Sequence, residues 1–244
     1  MTEGLSFHIR GWAAWAPGRE TEAAWRAWAD GSGAAPQAEP ATGAVPSALR
    51  RRISPLGQAT LRCAWGLPDA TAARIVSASR HGEFGRTLSI LDSLARGEDV
   101  SPADFTLSVH HALAGVLSIA QGNQRGHTAI AAGHDSFGFG LMEAVTALAE
   151  RPDEPVVLLH YDEPLPPPYS DFATAPGEPM ALALSLASLG NGQRFALTVA
   201  PGRDERPSAA PALDFLRFML RGDSTMISRG ERMQWHWRRH AAAA

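Results

Sequence analysis

The chain has 244 residues, of which 45% are hydrophobic, enough for one large domain or two small ones with a buried core. A formal net charge of -3 gives no basic excess, so nucleic-acid binding is not expected. All 22 basic residues are arginine, which excludes a lysine-dependent mechanism. The single cysteine excludes an intramolecular disulfide and a cysteine-rich zinc site.

In chain order, the hydrophobic pattern predicts alternating strands and helices. Residues 5–18 predict an opening strand that ends at a Pro-Gly pair, and a short tryptophan-rich helix follows. Residues 31–46 contain mainly Gly, Ala and Pro and predict an irregular loop. The next helix is expected to begin near Ser47 and to be interrupted or bent at Pro55.

The middle of the chain predicts a buried strand at 73–85 and an amphipathic helix at 85–97. Residues 101–122 predict a further helix, with Ser101 as its cap and Pro102 at its first position. Apolar residues surround the axis of this last helix, which is typical of a helix buried on all sides.

The rest of the chain predicts a short strand, a helix, a strong strand, a hairpin and a last helix before an unassigned tail. The ranges are 127–133 for the short strand, 135–152 for the helix, 154–164 for the strand, 180–201 for the hairpin and 210–222 for the last helix. Residues 164–179 predict a second irregular loop. We therefore expect an α/β fold of layered sheet and helices, with residues 1–244 forming a single domain.

No stretch is apolar enough to predict a membrane span, and the N-terminus lacks the pattern of a signal peptide. With a single cysteine, this composition favours a soluble, cytoplasmic protein.

Three segments resemble the β-ketoacyl synthases, the condensing enzymes of the thiolase fold. They are "RRRISPLGQATLRCA" at 50–64, "SPADFTLSVHHALAGVLSIAQG" at 101–122 and "TAIAAGHDSFGFGLMEA" at 128–144. The chain looks most like the short noncatalytic chain length factors found beside synthases of the aryl-polyene type. The resemblance implies a truncated thiolase-like fold, roughly one βαβαβαββ half plus additional elements.

The resemblance also implies that the catalytic residues are missing. Condensing enzymes carry Thr-Ala-Cys-Ala before a helix, and the corresponding run here begins at Thr128 and places Ile130 where the nucleophile stands. The family's His-Gly-Thr stretch and its lysine are absent, and the chain is too short for a second half of the fold. Gly126, His127 and Thr128 also resemble the family's second histidine motif, although the following helix favours the nucleophile-strand interpretation.

The implied function is a noncatalytic subunit that pairs with an active β-ketoacyl synthase and receives an acyl carrier protein through that complex. We expect residues 105–116 and 125–130 at or near the interface. No cofactor and no metal ion are implied. The candidate tunnel or interface residues are Leu107, Ser108, His111, Ile130 and Phe137.

Two other functions remain open at this stage. Ser136 and a histidine could form an acyl-thioester hydrolase or transferase, although the spacing from Gly133 is one residue too long for a nucleophile elbow. A homodimeric acyl-binding scaffold is the second alternative function.

His127, His134 and Asp135 are close enough in sequence for an acid–base pair or a metal site, but a strand and a turn would point them apart.

The remaining conspicuous residues have simple structural interpretations. The three arginines at 50–52 are expected to form a solvated face or a binding site for the acidic surface of a carrier protein. Cys63 is expected to be a small buried side chain, and His110 and His111 are expected to be polar groups satisfied within a helix pair or an interface. The tryptophans near both ends of the chain are expected to pack in the core or at its edge: Trp12, Trp15, Trp25, Trp28, Trp235 and Trp237.

Overall fold

The computed structural model describes residues 4–32, 46–172, 177–202 and 206–241. Within these ranges the chain forms one eight-stranded sheet, eight α-helices and two short 3-10 turns. The strands are β1 Leu5–Trp15, β2 Arg74–Ala78, β3 His127–Ile130, β4 Val156–Asp162, β5 Met180–Ala187, β6 Gln193–Pro201, β7 Thr225–Arg229 and β8 Met233–Arg239. The helices are α1 Glu22–Asp30, α2 Ser47–Arg50, α3 Pro55–Trp65, α4 Phe84–Ala95, α5 Pro102–Ser108, α6 Ala112–Gln121, α7 Ser136–Glu150 and α8 Pro211–Arg221, with 3-10 turns at Gly133–Asp135 and Tyr169–Phe172.

The sheet has a parallel part and an antiparallel part, in the strand order β3-β2-β4-β5-β1-β6-β8-β7. β2 is parallel to both β3 and β4, and all the other pairs are antiparallel. The hairpin predicted at 180–201 is wrong: both of its arms are strands, but they do not pair with each other, because β1 lies between β5 and β6 and pairs with both. The predicted α/β class and the alternation of helices and strands are confirmed.

Helices lie on both faces of this sheet, although they leave part of one face uncovered, and they enclose two apolar clusters. One cluster lies under α1, α7 and α8 and includes Trp25, Phe137 and Phe215, all at most 1% exposed. The other lies under α3 and α6 and includes Leu61 and Leu113, which are fully buried. This burial on both faces explains why β4 and β5 are continuous apolar runs rather than alternating ones.

The helix predicted to begin near Ser47 begins there as α2, without a side-chain cap, and the start predicted at Ser101 is confirmed together with its cap. Ser54 Oγ accepts a hydrogen bond from Gly57 N at 2.9 Å, and Pro55 occupies the first position of α3. Ser101 Oγ caps α5 in the same way, and Pro102 occupies the first position of that helix. Pro55 therefore interrupts the predicted helix by starting a new one, because its missing N–H would be unpaired in a first turn anyway.

The prediction of one helix buried on all sides at 101–122 is wrong. Residues 101–122 form two helices, α5 and α6, whose axes differ by 99°, with Val109 in an extended conformation between them. Phe105 is 63% exposed and Ile119 is 84% exposed, and α5 has no buried residue. Only one face of α6 reaches the core, so the apolar residues on the other sides remain on the surface.

The interpretation of the C-terminal segment as a tail is also wrong. Residues 225–239 form the β7–β8 hairpin, and β8 pairs with β6 from Met233 to Arg239. Trp235 and Trp237 are at most 2% exposed on this strand. The loop predicted at 31–46 lies mostly outside the described residues, and 164–172 is irregular apart from one 3-10 turn.

Among the described residues, no single helix has the length and apolar character needed to cross a bilayer. Only α5 and α6 taken together satisfy that test, as a sharply bent pair.

Candidate functional site

The strand, turn and helix at residues 127–150 are present, but Ile130 does not lie at the N-terminus of the helix. Ile130 is the last residue of β3, and α7 begins at Ser136 after a turn in which Gly133 has a φ of 62°. The half-buried Ile130 side chain lines a shallow surface pocket with Phe139 and Met142. The geometry that activates a nucleophile, the first turn of a buried helix, therefore belongs to Ser136.

Ser136 is bound within its own turn. Its hydroxyl donates to Gly133 O at 2.7 Å and accepts from Ala132 N at 2.9 Å, and the residue is 1% exposed. A serine nucleophile needs a base that accepts its proton, and here the proton is directed to a backbone carbonyl. This arrangement does not favour a hydrolase or transferase that uses Ser136.

The three residues considered as an acid–base pair or metal site lie apart. His127 stacks on His111 with 5.8 Å between ring centroids, whereas Arg80 Nη1 donates to His134 Nε2 at 3.1 Å. Asp135 is fully buried beneath Trp235. Within the part of the chain that the structure describes, no three His, Cys, Asp or Glu side chains are grouped closely enough to hold a metal ion.

A polar cavity lies at the carboxyl ends of β2 and β4, beside the start of α7. Open α/β sheets commonly bind ligands at this edge. Its volume is about 120 Å³, and the N-terminal residues of α8 close one side. The polar and charged side chains in its wall are Arg80, His81, His134, Ser136, His160, Asp162, Glu163 and Glu178.

Asp162 is the centre of hydrogen bonding in this cavity. One carboxylate oxygen accepts from Ser79 Oγ at 3.0 Å and from Arg80 N at 2.8 Å. The other oxygen lies 3.5 Å from His160 Nε2. These bonds fix the loop that follows β2 against the end of β4 and so hold the cavity wall in place.

The histidines in the cavity are shifted toward their neutral forms. Burial lowers the pKa of His160, and the Asp162 carboxylate only partly opposes this effect. Burial and then the Arg80 guanidinium lower the pKa of both His81 and His134. Burial raises the pKa of Glu163, as do, to a smaller degree, the carboxylates of Glu83 and Asp162. Of the polar residues in this wall, only His134 and Ser136 were candidates from the sequence, and the signal for His160 and Asp162 was the His-x-Asp end of a strong strand.

The candidate tunnel residues do not share one cavity. Leu107 lines an apolar groove of about 460 Å³ between α2, α5 and α6, together with Ile53, Val116 and Ile119. Phe137 is a core residue packed between His160 and Phe215.

Two candidates lie near the junction of α5 and α6. Ser108 is half-buried and donates to Phe105 O at 2.9 Å. His111 is exposed at the start of α6. Leu107 is thus the candidate that lines a large apolar space.

Cys63, the arginines at 50–52 and the buried tryptophans have the expected surroundings, whereas the prediction that His110 is satisfied is wrong, since its buried Nε2 has no hydrogen-bond partner among the described residues. Cys63 is buried in α3, and burial raises the pKa of its thiol to about 12, as expected for an unreactive structural cysteine. Arg50, Arg51 and Arg52 are exposed beside the apolar groove. Trp25 is fully buried, as are the tryptophans of β8.

The structure is similar to solved ketosynthase complexes. A chain of the complex between the ketosynthase ApeO and its chain length factor ApeC from Xenorhabdus doucetiae matches with a TM-score of 0.83 and 30% identity, covering 96% of this chain and 99% of that one. The ishigamide ketosynthase/chain length factor matches with a TM-score of 0.57 and 18% identity, over 89% and 74% of the two chains. A chain of AntDE:AntF, a type II polyketide synthase acyl-carrier protein in complex with its ketosynthase, matches with a TM-score of 0.63 and 10% identity, over 96% and 99%.

These similarities show that the chain has a thiolase-like α/β fold. The family model described as "Beta-ketoacyl synthase, N-terminal domain" then matches residues 25–238. The chain belongs to the β-ketoacyl synthase family, as the sequence resemblance predicted. Comparison with curated protein sequences finds no match.

Proposed function

We propose that this protein is a noncatalytic chain length factor, which pairs with a catalytic ketosynthase and helps to shape the space for a growing acyl or polyene chain. The observation that carries the proposal is the match with a chain of the ApeO–ApeC complex, which extends over nearly the whole of both chains at 30% identity. In this proposal residues 1–244 act as one domain within a cytoplasmic complex, and a carrier protein meets the growing chain there.

The chemistry of the chain supports a noncatalytic role. The only cysteine in the sequence is Cys63, which is buried in α3 and has a pKa of about 12, far from the thiolate that a condensing enzyme requires. Ile130 carries no nucleophile on the strand where the resemblance expects one. The Ser136 hydroxyl is held by backbone groups.

The apolar surface of α5 and α6 supports a partner at the proposed interface. Phe105 and Ile119 are exposed on these two helices, and Val109 is exposed between them. Large exposed apolar groups close together commonly mark protein interfaces. Among the described residues, β3 also forms the outer edge of the sheet, next to β2. We propose that the ketosynthase covers residues 105–116 and 125–130, with Leu107 and the apolar groove facing the acyl chain.

Co-expression tests this proposal. The chain is expressed with a tag beside the cysteine-containing ketosynthase from the same gene cluster, and the complex is isolated by affinity and size-exclusion chromatography. We expect a heterodimer that condenses acyl thioesters only when the ketosynthase cysteine is intact. A stable monomer in the presence of that ketosynthase, or thioester turnover by the isolated chain, would contradict the proposal.

A further inference from the structure

The antiparallel end of the sheet has one face that none of the helices described above covers. Strands β1, β6, β8 and β7 direct Phe7, Phe195 and Trp237 into the core beneath α7 and α8. Their alternate residues point to the opposite side, where Arg194, Thr198, Thr225, Ile227 and Arg238 are all exposed. Helix α3 packs over β4, β5 and β1 on that side and does not extend to β6.

This uncovered surface, the open face, is basic. It carries Arg194, Arg229 and Arg238 together with His8, His236 and His240. None of its four strands contains an aspartate or a glutamate, although the chain has 25 acidic residues. The charge asymmetry is therefore local, since the net charge of the whole chain is -3.

The strand register brings the cations into neighbouring rows. His8 lies directly opposite Arg194, and Arg194 O accepts a hydrogen bond from His240 N at 3.0 Å. In the next row, Ala196 separates Ser6 from Arg238. Directly opposed residues in such rows are close enough for their side chains to interact.

The charges on this surface act on one another. Burial lowers the pKa of His240, and the charges of Arg194, Arg238 and His8 lower it further. Among the described residues, Arg194 reaches only Ser6 Oγ, at 3.5 Å, and neither Arg194 nor Arg238 forms an ion pair. Asp69, at the border with α3, is paired with Arg10.

We propose that the open face docks the acidic surface of the acyl carrier protein that serves the synthase. A wide, shallow array of cations fits an extended acidic protein surface better than a small anion, which needs a concave site. A second copy of this chain would bring arginine against arginine and is disfavoured. The inference rests on the proposed function, which already includes the carrier protein, and adds to it the surface on which that protein docks.

A pair of matched double variants tests the docking surface. Arg194→Glu with Arg238→Glu reverses two charges on the open face. Arg50→Glu with Arg51→Glu makes the same charge change at the exposed arginines of α2, the rival landing site. Binding of fluorescently labelled holo carrier protein is measured by anisotropy, with the heterodimer and with the isolated chain, at low salt and at roughly 0.3 M salt.

We expect the open-face variant to weaken carrier binding about tenfold at low salt, with a smaller difference at high salt. The α2 variant should stay within about twofold of wild type. Equal effects of the two variants, or a loss confined to the α2 variant, would overturn the inference. So would arginine-dependent binding of a labelled oligonucleotide in place of the carrier protein.

Two controls separate the possible failures. Unfolding curves of both variants show whether the fold survives, and Arg194→Gln with Arg238→Gln gives a milder change should charge reversal disturb it. Heterodimer formation is measured separately by size exclusion. If the heterodimer forms and the open-face variant binds the carrier protein as tightly as wild type does, the proposed docking surface is wrong and the proposed function stands. Absence of a heterodimer counts against the proposed function itself. Carrier binding by the isolated chain still tests the open face in that case.

Discussion

The carboxyl group of Asp135 accepts a hydrogen bond from the indole Nε1 of Trp235 at 2.9 Å, in the core and across 100 positions of sequence. The second carboxyl oxygen accepts from Arg232 N at 2.8 Å, so both oxygens are used. This contact connects the turn before α7 to β8, the strand that lies beside the open face. It explains why Gly230 is a glycine, since any Cβ there would overlap the Asp135 carboxyl group.

Removing the indole donor should destabilise the fold. Trp235→Phe leaves a buried carboxyl oxygen without its partner, whereas Trp237→Phe removes an Nε1 that has no partner among the described residues. Both tryptophans are buried to the same degree, so Trp237→Phe is the matched control. We expect Trp235→Phe to cost about 1.5–3 kcal/mol more in the free energy of unfolding, measured by urea denaturation. Equal losses would show that the hydrogen bond contributes little.

Close packing of α7 against the sheet should make Gly138 intolerant of a side chain. A Cβ at Gly138 would overlap the Trp235 ring, whereas a Cβ at Gly85, in α4, would meet open space. Gly138→Ala should therefore destabilise by about 1–3 kcal/mol despite the better helix propensity of alanine. Gly85→Ala should be neutral or stabilise by up to about 1 kcal/mol. Thermal unfolding of both variants measures the contrast, and stabilisation by Gly138→Ala would contradict the packing.

An exposed apolar residue on α6 should be needed for the heterodimer. Ile119 is 84% exposed beside the apolar groove, and Leu189 is 77% exposed in the β5–β6 turn. We expect Ile119→Asp to weaken association with the ketosynthase about tenfold or more, because a charge at an apolar interface must be desolvated. Leu189→Asp should leave association unchanged. Analytical ultracentrifugation of the mixtures measures both, and similar behaviour would place the interface elsewhere.

The buried His160 should make the protein sensitive to acid. Burial holds the folded-state pKa of His160 below its ordinary value of 6.5, so the unfolded chain binds the proton more readily than the folded one. Stability from this residue is therefore present above about pH 6.5 and is lost as the pH falls below it. We expect the free energy of unfolding to fall between about pH 7 and pH 5, and to fall less in His160→Gln. Parallel curves for the two proteins would show that His160 binds protons equally in the folded and unfolded states, which would contradict the lowered pKa in the folded state.

The local elements of the fold could be predicted from the sequence because they depend on short-range physical chemistry. The apolar run of β4 and the Ser101 cap, with Pro102 at the first position of α5, each depend on a few consecutive residues. The family resemblance depends on the same kind of local pattern, and the family match confirms it.

Contacts between distant segments decided the rest. The pattern at 101–122 is apolar all round, yet the chain bends beyond Ser108 and leaves Phe105 and Ile119 on the surface, because one sheet can bury only one side of α6. The segment 225–239 joins the sheet because β6 offers it an unpaired edge. The cavity around Asp162 forms where two strands, far apart in sequence, end together.

For this protein, the sequence by itself determined most of the helices and strands before residue 223, the family, and the presence of a single cysteine, Cys63. The tertiary structure alone decided which apolar side chains remain exposed and which charges come together on the open face. The physical reason is that secondary structure and caps need only neighbouring residues. Burial and charge clustering depend instead on the order in which strands from both ends of the chain pair in one sheet.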